Sequence, residues 1–128
     1  MMDVLADSLN ALKVAEVKGK RQARIKPASK VVRNVLLILQ KYGYVGEFKF
    51  IDDGKSGEFV VTLTGRINNA RSIKPRFSVS RKTWEKFEMR FLPSKGVGVI
   101  VVSTPQGIMS HTEAQEKNIG GKLLCFVY

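Results

Sequence analysis

Gly96-Val97-Gly98-Val99-Ile100-Val101-Val102-Ser103-Thr104-Pro105-Gln106-Gly107-Ile108-Met109 is the stretch on which the fold turns. Val99 to Val102 is apolar at every position, so it lacks the in-out alternation of a half-exposed strand. That pattern predicts a strand buried on both faces. Ser103 to Gly107 reads as a tight polar turn, after which Ile108 and Met109 return to the core. Ser110-His111-Thr112-Glu113 has a hydroxyl first and a carboxylate three positions later, the pattern of a capping box. A short helix running through Asn118 follows, then Gly120-Gly121, then a closing strand from Lys122 to Tyr128.

Upstream of this stretch, Trp84, Phe87 and Phe91 recur at helical spacing and Pro93 closes the segment. An aromatic stripe of that kind is read as core rather than as a base-stacking platform. Pro75, Phe77 and Val79 alternate with Arg76 and Ser78, as an edge strand does. Gly65 to Ser72 has little apolar periodicity and reads as a linker.

The first half follows a different plan. Asp3 is the expected cap of a helix carrying Leu5, Leu9 and Leu12, which Gly19 ends. Lys20 to Lys26 alternates as a short strand stopped by Pro27. Ser29 is the expected cap of a second helix whose apolar face is Val31, Val32, Val35, Leu36 and Leu39, with Gly43 as terminator. Phe48 and Phe50 mark one strand, and Phe59, Val61 and Leu63 mark the next. Between them Asp52-Asp53-Gly54-Lys55-Ser56-Gly57 supplies turn chemistry for a hairpin. The expected fold is α+β in two small modules. Residues 1–68 form helix, strand, helix and hairpin, and residues 69–128 are mostly β with short helices.

Charge dominates the composition. Twenty-two Lys and Arg against eleven Asp and Glu give a net +11 and a pI near 10.1 in 128 residues. Self-repulsion on that scale predicts a polyanionic partner, nucleic acid first. The cations fall in one band from Lys13 to Lys30 and a second containing Arg66, Arg71, Lys74, Arg76, Arg81, Lys82, Lys86 and Arg90. Small polar turns beside them offer hydroxyls and bare N–H groups to phosphates and base edges. Large exposed aromatic patches are not expected, which favours recognition of a structured RNA by its shape.

Other functions find little support. Arg33 interrupts the run from Val31 to Leu39, and Val97 to Val102 is far shorter than the ~20 residues that span a bilayer. Asp3 and Asp7 do not suit a secretory leader. The single Cys125 and single His111 cannot make a usual structural zinc site, so no metal or cofactor is expected. Cys125 lies on a strand face with Leu123 and Val127 and reads as an inert buried thiol. Glu47, Asp52, Asp53 and Glu58 crowd the hairpin, where turn-making outweighs metal binding. No enzyme is expected; a nuclease built on the hairpin acids is the catalytic alternative. Gly43-Tyr44-Val45-Gly46 spells GxxG but joins a helix to a strand, unlike the loop of a KH clamp.

Val99 to Met109, with Gly120-Gly121-Lys122 and the closing Phe126-Val127-Tyr128, resembles small-subunit ribosomal protein eight. Val4-Leu5-Ala6-Asp7, Pro27-Ala28-Ser29-Lys30, Lys41-Tyr42-Gly43-Tyr44, Gly46-Glu47-Phe48 and Ile51-Asp52-Asp53 extend the likeness over essentially the whole chain. The Phe-Val-Tyr ending and the Ile-Asp-Asp hairpin are similar to the eukaryotic or archaeal branch. The resemblance implies a structural part of the small ribosomal subunit and a primary binder of its rRNA in the central domain. Implied partners are that rRNA and neighbouring small-subunit proteins, in the cytoplasm, with no membrane and no homo-oligomer. The implied RNA-binding residues are Ser29 and Lys30 before the second helix, Ser103, Thr104, Gln106 and Gly107 in the polar turn, and Gly121 and Lys122 before the last strand. Bacterial members usually carry serine at the position of Pro105 and also an acid at that of Lys122, so those contacts do not transfer unchanged. An mRNA-binding regulator using the same basic surface is the alternative.

Overall fold

In the computed structural model, which describes residues 4–26, 28–52, 54–55, 57–74, 76–94 and 96–128, Val99, Ile100, Val101 and Val102 are all fully buried. They belong to strand β6 (Val99–Thr104), the predicted inner strand. It lies between β7 (Gly107–Ser110) and β8 (Gly121–Val127) in an antiparallel sheet of order β4-β8-β6-β7. Along the far edge of β8 lie β4 (Ala70–Ser72), opposite Cys125 to Val127, and β5 (Ser78–Val79), opposite Gly121 and Lys122.

The register between β6 and β8 slips at one point, from Val101↔Cys125 to Val102↔Leu123, leaving Leu124 as the extra residue of a bulge. Leu124 and Cys125 therefore both join the core on one side of the sheet, while Leu123 and Phe126 join the core on the other. The first side packs on helices α1 (Val4–Val17) and α2 (Lys30–Lys41). The second is closed by α3 (Trp84–Phe91). Trp84 is buried there and donates its indole N–H to Ile119 O at 3.1 Å. Phe91 stacks between Phe87 and Phe126, with ring centroids 6.4 and 5.5 Å away, so the aromatic stripe is core-forming as expected.

A second sheet has order β1-β3-β2, from β1 (Gln22–Ile25), β2 (Val45–Ile51) and β3 (Glu58–Leu63). Its buried Ala23, Ile25, Phe59 and Val61 join the same core as α1, α2 and the first face of β6 and β8. Leu5, Leu9, Leu12, Val35, Leu36 and Leu39 fill that core, whereas Val31, 39% exposed, stands off the expected helix face.

The helix ends follow local chemistry. Ser29 caps α2, its Oγ accepting from Val32 N–H at 3.2 Å. Gly19 and Gly43 take φ of +71° and +80°, the left-handed geometry that ends helices. Helix α4 (His111–Glu116) is capped by Ser110, whose Oγ accepts from Glu113 N–H at 3.2 Å. The reciprocal half of the expected box is replaced. The Glu113 carboxylate accepts from Lys41 Nζ at 2.5 Å, and Ser110 Oγ also meets Tyr42 Oη at 2.7 Å, tying α4 to the end of α2. This pairing with Glu113 raises the Lys41 pKa, chiefly through the hydrogen bond.

One segment departs from expectation. Gly65 to Ser72 is not a free linker: Ile67 and Ala70 are buried and Ala70–Ser72 is strand β4. Asn68 and Asn69 both donate their N–H groups to Tyr128 O, at 2.7 and 2.9 Å. The expected roles of Asp3 as a helix cap, Pro27 and Pro75 as strand bounds, and Asp53 and Ser56 in the hairpin fall outside the described residues.

His111 joins three elements. Its Nδ1 accepts from Ile100 N–H at 3.0 Å, and its Nε2 lies 3.5 Å from Glu88 Oε1 on α3. Gln115 on α4 donates to the same carboxylate oxygen. Burial lowers the His111 pKa, outweighing the Glu88 charge. Protonation would put a hydrogen on Nδ1, which has to accept from Ile100. The unfolded chain therefore takes up the proton more readily. Stability is full above the ordinary histidine pKa of about 6.5 and is lost as pH falls from there toward the lowered folded value. Urea unfolding at pH 7.5 and 5.5 should show the weaker fold at the lower pH. His111→Asn, which keeps an acceptor near Ile100, should reduce that difference.

Candidate nucleic-acid interface

The polar turn is tighter than predicted, because β6 runs through Ser103 and Thr104 and β7 starts at Gly107, leaving Pro105-Gln106 as the bend. Thr104 is 9% exposed, and its hydroxyl is engaged twice: it donates to Gly107 O at 2.8 Å and accepts from Gln106 N–H at 3.1 Å. It builds the turn. Gly107 adopts φ +117° with open space around its Cβ position, so backbone conformation alone requires glycine there. Gln106 and Gly107 are exposed at the tip.

Ser103 is half-exposed, and no hydrogen-bond partner engages its hydroxyl among the described residues. It lies opposite Lys122 in the β6–β8 ladder. Residues directly opposite across an antiparallel pair share a face, so hydroxyl and ammonium stand together. Strand β5 pairs Ser78 with Lys122, adding a second hydroxyl. Arg76, Ser78, Ser103, Pro105, Gly121 and Lys122 line one shallow cleft.

The Gly-Gly segment has a packing role. A Cβ on Gly120 would lie 2.0 Å from Val79 O, and one on Gly121 would lie 2.3 Å from Ser103 O. Without side chains, β5 and β6 close tightly on the start of β8, and that closure forms the cleft floor.

Ser29 and Lys30 occupy another corner. Ser29 is half-buried as the helix cap, Lys30 is exposed, and Ala28 N–H donates to Gly57 O at 3.1 Å, fixing the loop to the hairpin. Neither residue lines the cleft. The eight expected residues thus divide: Ser103, Thr104, Gly121 and Lys122 come together, Gln106 and Gly107 stand at the adjoining turn, and Ser29 and Lys30 lie apart. By sequence alone Arg76 is one cation of a band and Ser78 a residue of an edge strand. Their place in the cleft depends on the pairing of β5 with β8, which periodicity does not reveal.

The electrostatics are uneven. Glu58 is buried and sits 3.2 Å from Arg24 Nη1 and 3.5 Å from Lys26 Nζ, so part of the first basic band is neutralised. Asp52 Oδ1 accepts from Gly54 N–H at 2.9 Å, the turn role expected of it. Among the described residues no three His, Cys, Asp or Glu gather as a metal site. Cys125 is fully buried, and desolvation pushes its thiol pKa up to about 12, so it stays protonated and unreactive. Phe50, 59% exposed, stands out on the hairpin.

Together the two sheets, the shared core and the hydroxyl-lined cationic cleft define a basic α+β protein with a surface suited to a polyanion. The profile of the family described as ribosomal protein S8 matches residues 3–128. Small ribosomal subunit protein uS8 of Methanococcoides burtonii is 48% identical over 128 residues, covering 100% of this chain and 98% of that protein. The chain belongs to the ribosomal protein S8 family, in its archaeal and eukaryotic-like branch.

The geometry separates two neighbouring hydroxyls. Thr104→Val removes both turn bonds and should cost about 1–3 kcal/mol in urea unfolding. Ser103→Ala should stay within about 0.5 kcal/mol of the parent, as surface changes do. Equal losses for the two would contradict the assignment.

Proposed function

We propose that this chain is a structural constituent of the small ribosomal subunit, binding small-subunit rRNA in its central domain and aiding assembly there. The observation that carries the reading is the Ser103–Lys122 juxtaposition, with Arg76 and Ser78, in a protein of this family. Lys122 and Arg76 supply salt-sensitive affinity by displacing counterions from phosphates. The Ser103 and Ser78 hydroxyls donate to or accept from sugar and base edges, and the rigid Pro105-Gln106 turn fixes their position.

Residues 1–68 and 69–128 act as two holding modules in this reading. Ser29 and Lys30 grip from the first, and Ser103, Thr104, Gln106, Gly107, Gly121 and Lys122 from the second, with Thr104 shaping the turn. The chain works as part of a cytoplasmic ribonucleoprotein beside other small-subunit proteins, and it performs no catalysis.

Purified protein should bind a small-subunit rRNA fragment with steep salt dependence and prefer it to an unrelated duplex. Combining Ser103→Ala with Lys122→Gln should weaken that binding and erode the preference. Lys30→Gln should lower the salt slope by about one. Equal affinity for both duplexes, unaltered by the double change, would overturn the reading.

A further inference from the structure

A second cleft, of about 290 Å³, opens where α1 meets the edge strand β4, lined among others by Asn10, Lys13, Arg71 and Ser72. Asn10 and Lys13 are three apart and so share one face of the helix. Arg71 and Ser72 come from β4, at the end of its sheet, so its outer edge pairs with no strand among the described residues. Neither Lys13 nor Arg71 makes an ion pair among the described residues, in contrast to Arg24, Lys26 and Lys41.

Strand register adds a further donor. Asn69 and Ile73 hydrogen-bond through their backbones to Tyr128, just past β8, and to Leu124 within it. Antiparallel pairing alternates, so Arg71 also faces β8, and Ser72 turns its N–H away from it, toward the unpaired edge. Among its described lining residues the cleft therefore brings together two cations, a carboxamide, a hydroxyl and an outward backbone N–H, with no acid. Such a set suits a group with several acceptor oxygens and a single negative charge.

We infer that the seam between α1 and β4 binds one phosphodiester of the RNA backbone, held between Lys13 and Arg71. The inference rests on the RNA-binding reading above but concerns a different surface. Its lining comes from both halves of the chain, so the phosphate clamps α1 onto β4. The contact is independent of sequence and positions the RNA rather than reading it.

The test uses the full chain carrying Lys13→Gln and Arg71→Gln together, with Lys13→Arg plus Arg71→Lys as the charge-preserving control. Binding of the small-subunit rRNA fragment is measured across a salt series, and inorganic phosphate is titrated while the Ser72 amide is followed by NMR. The neutral pair should lower the salt slope by about two and weaken binding to every RNA tested, keeping the preference for the cognate fragment. The control should keep the parent slope, and phosphate should shift the Ser72 amide in the parent but not in the neutral variant. A parent-like slope in the neutral variant would overturn the inference. If phosphate still shifts Ser72 in that case, the cleft takes free phosphate and not RNA. If the parent fails to bind the fragment at all, the functional reading falls. Absence of a Ser72 shift in the parent would then dispose of the cleft separately.

Discussion

Everything in this fold depends on the pairing of β6 with β8, two strands covered on both faces. Each wholly buried aliphatic side chain contributes roughly 1.5–3 kcal/mol of transfer free energy. Val99, Ile100, Val101, Val102, Leu123, Cys125 and Val127 are all fully buried there. Because the pair has two apolar faces, it needs a layer on each side. Helices α1 and α2 cover one, α3 covers the other, and the bulge at Leu124 apportions side chains between them. The same ladder ends at Ser103 opposite Lys122, so the packing that stabilises the core also places the cleft. Gly120 and Gly121 allow β5 and β6 to approach closely enough for this.

Against that core stands the charge. A net +11 is spread over a small surface, and the ion pairs do little to offset it. Arg24 and Lys26 share the buried Glu58, and Lys41 holds Glu113. Lys41 is exposed, so its pair adds little against solvent, whereas Glu58 is buried and offsets part of the first basic band. Among the described residues the cations of both clefts, Arg76, Lys122, Lys13 and Arg71, make no ion pair with a carboxylate. A polyanion relieves this repulsion through counterion release, a larger effect than any single surface pair. Charge alone does not select rRNA. Family membership and the rigid hydroxyl-bearing turn make the reading specific.

Much of this was legible in the sequence where the signal is local. Unbroken apolar character marked β6, Ser29 and Ser110 marked helix starts, and the spacing of Trp84, Phe87 and Phe91 marked α3. Where structure arises from distant partners, the reading failed. Ala70–Ser72 looked like linker because a three-residue strand carries no periodicity and is specified by its pairing with β8. Glu113 satisfied a capping-box spacing, yet Lys41, remote in sequence, took its carboxylate. Of the implied site residues, Ser103 and Lys122 stand opposite each other through the β6–β8 register, which the sequence does not display. Thr104 proved committed to the turn, and Arg76 entered the cleft only through β5.

The most direct measurement of the central claim is sedimentation of the native protein from cell lysate. The account predicts that it travels with the small ribosomal subunit at moderate salt and is released as the salt is raised. Recovery at the top of the gradient, with small subunits sedimenting without it, would contradict the account.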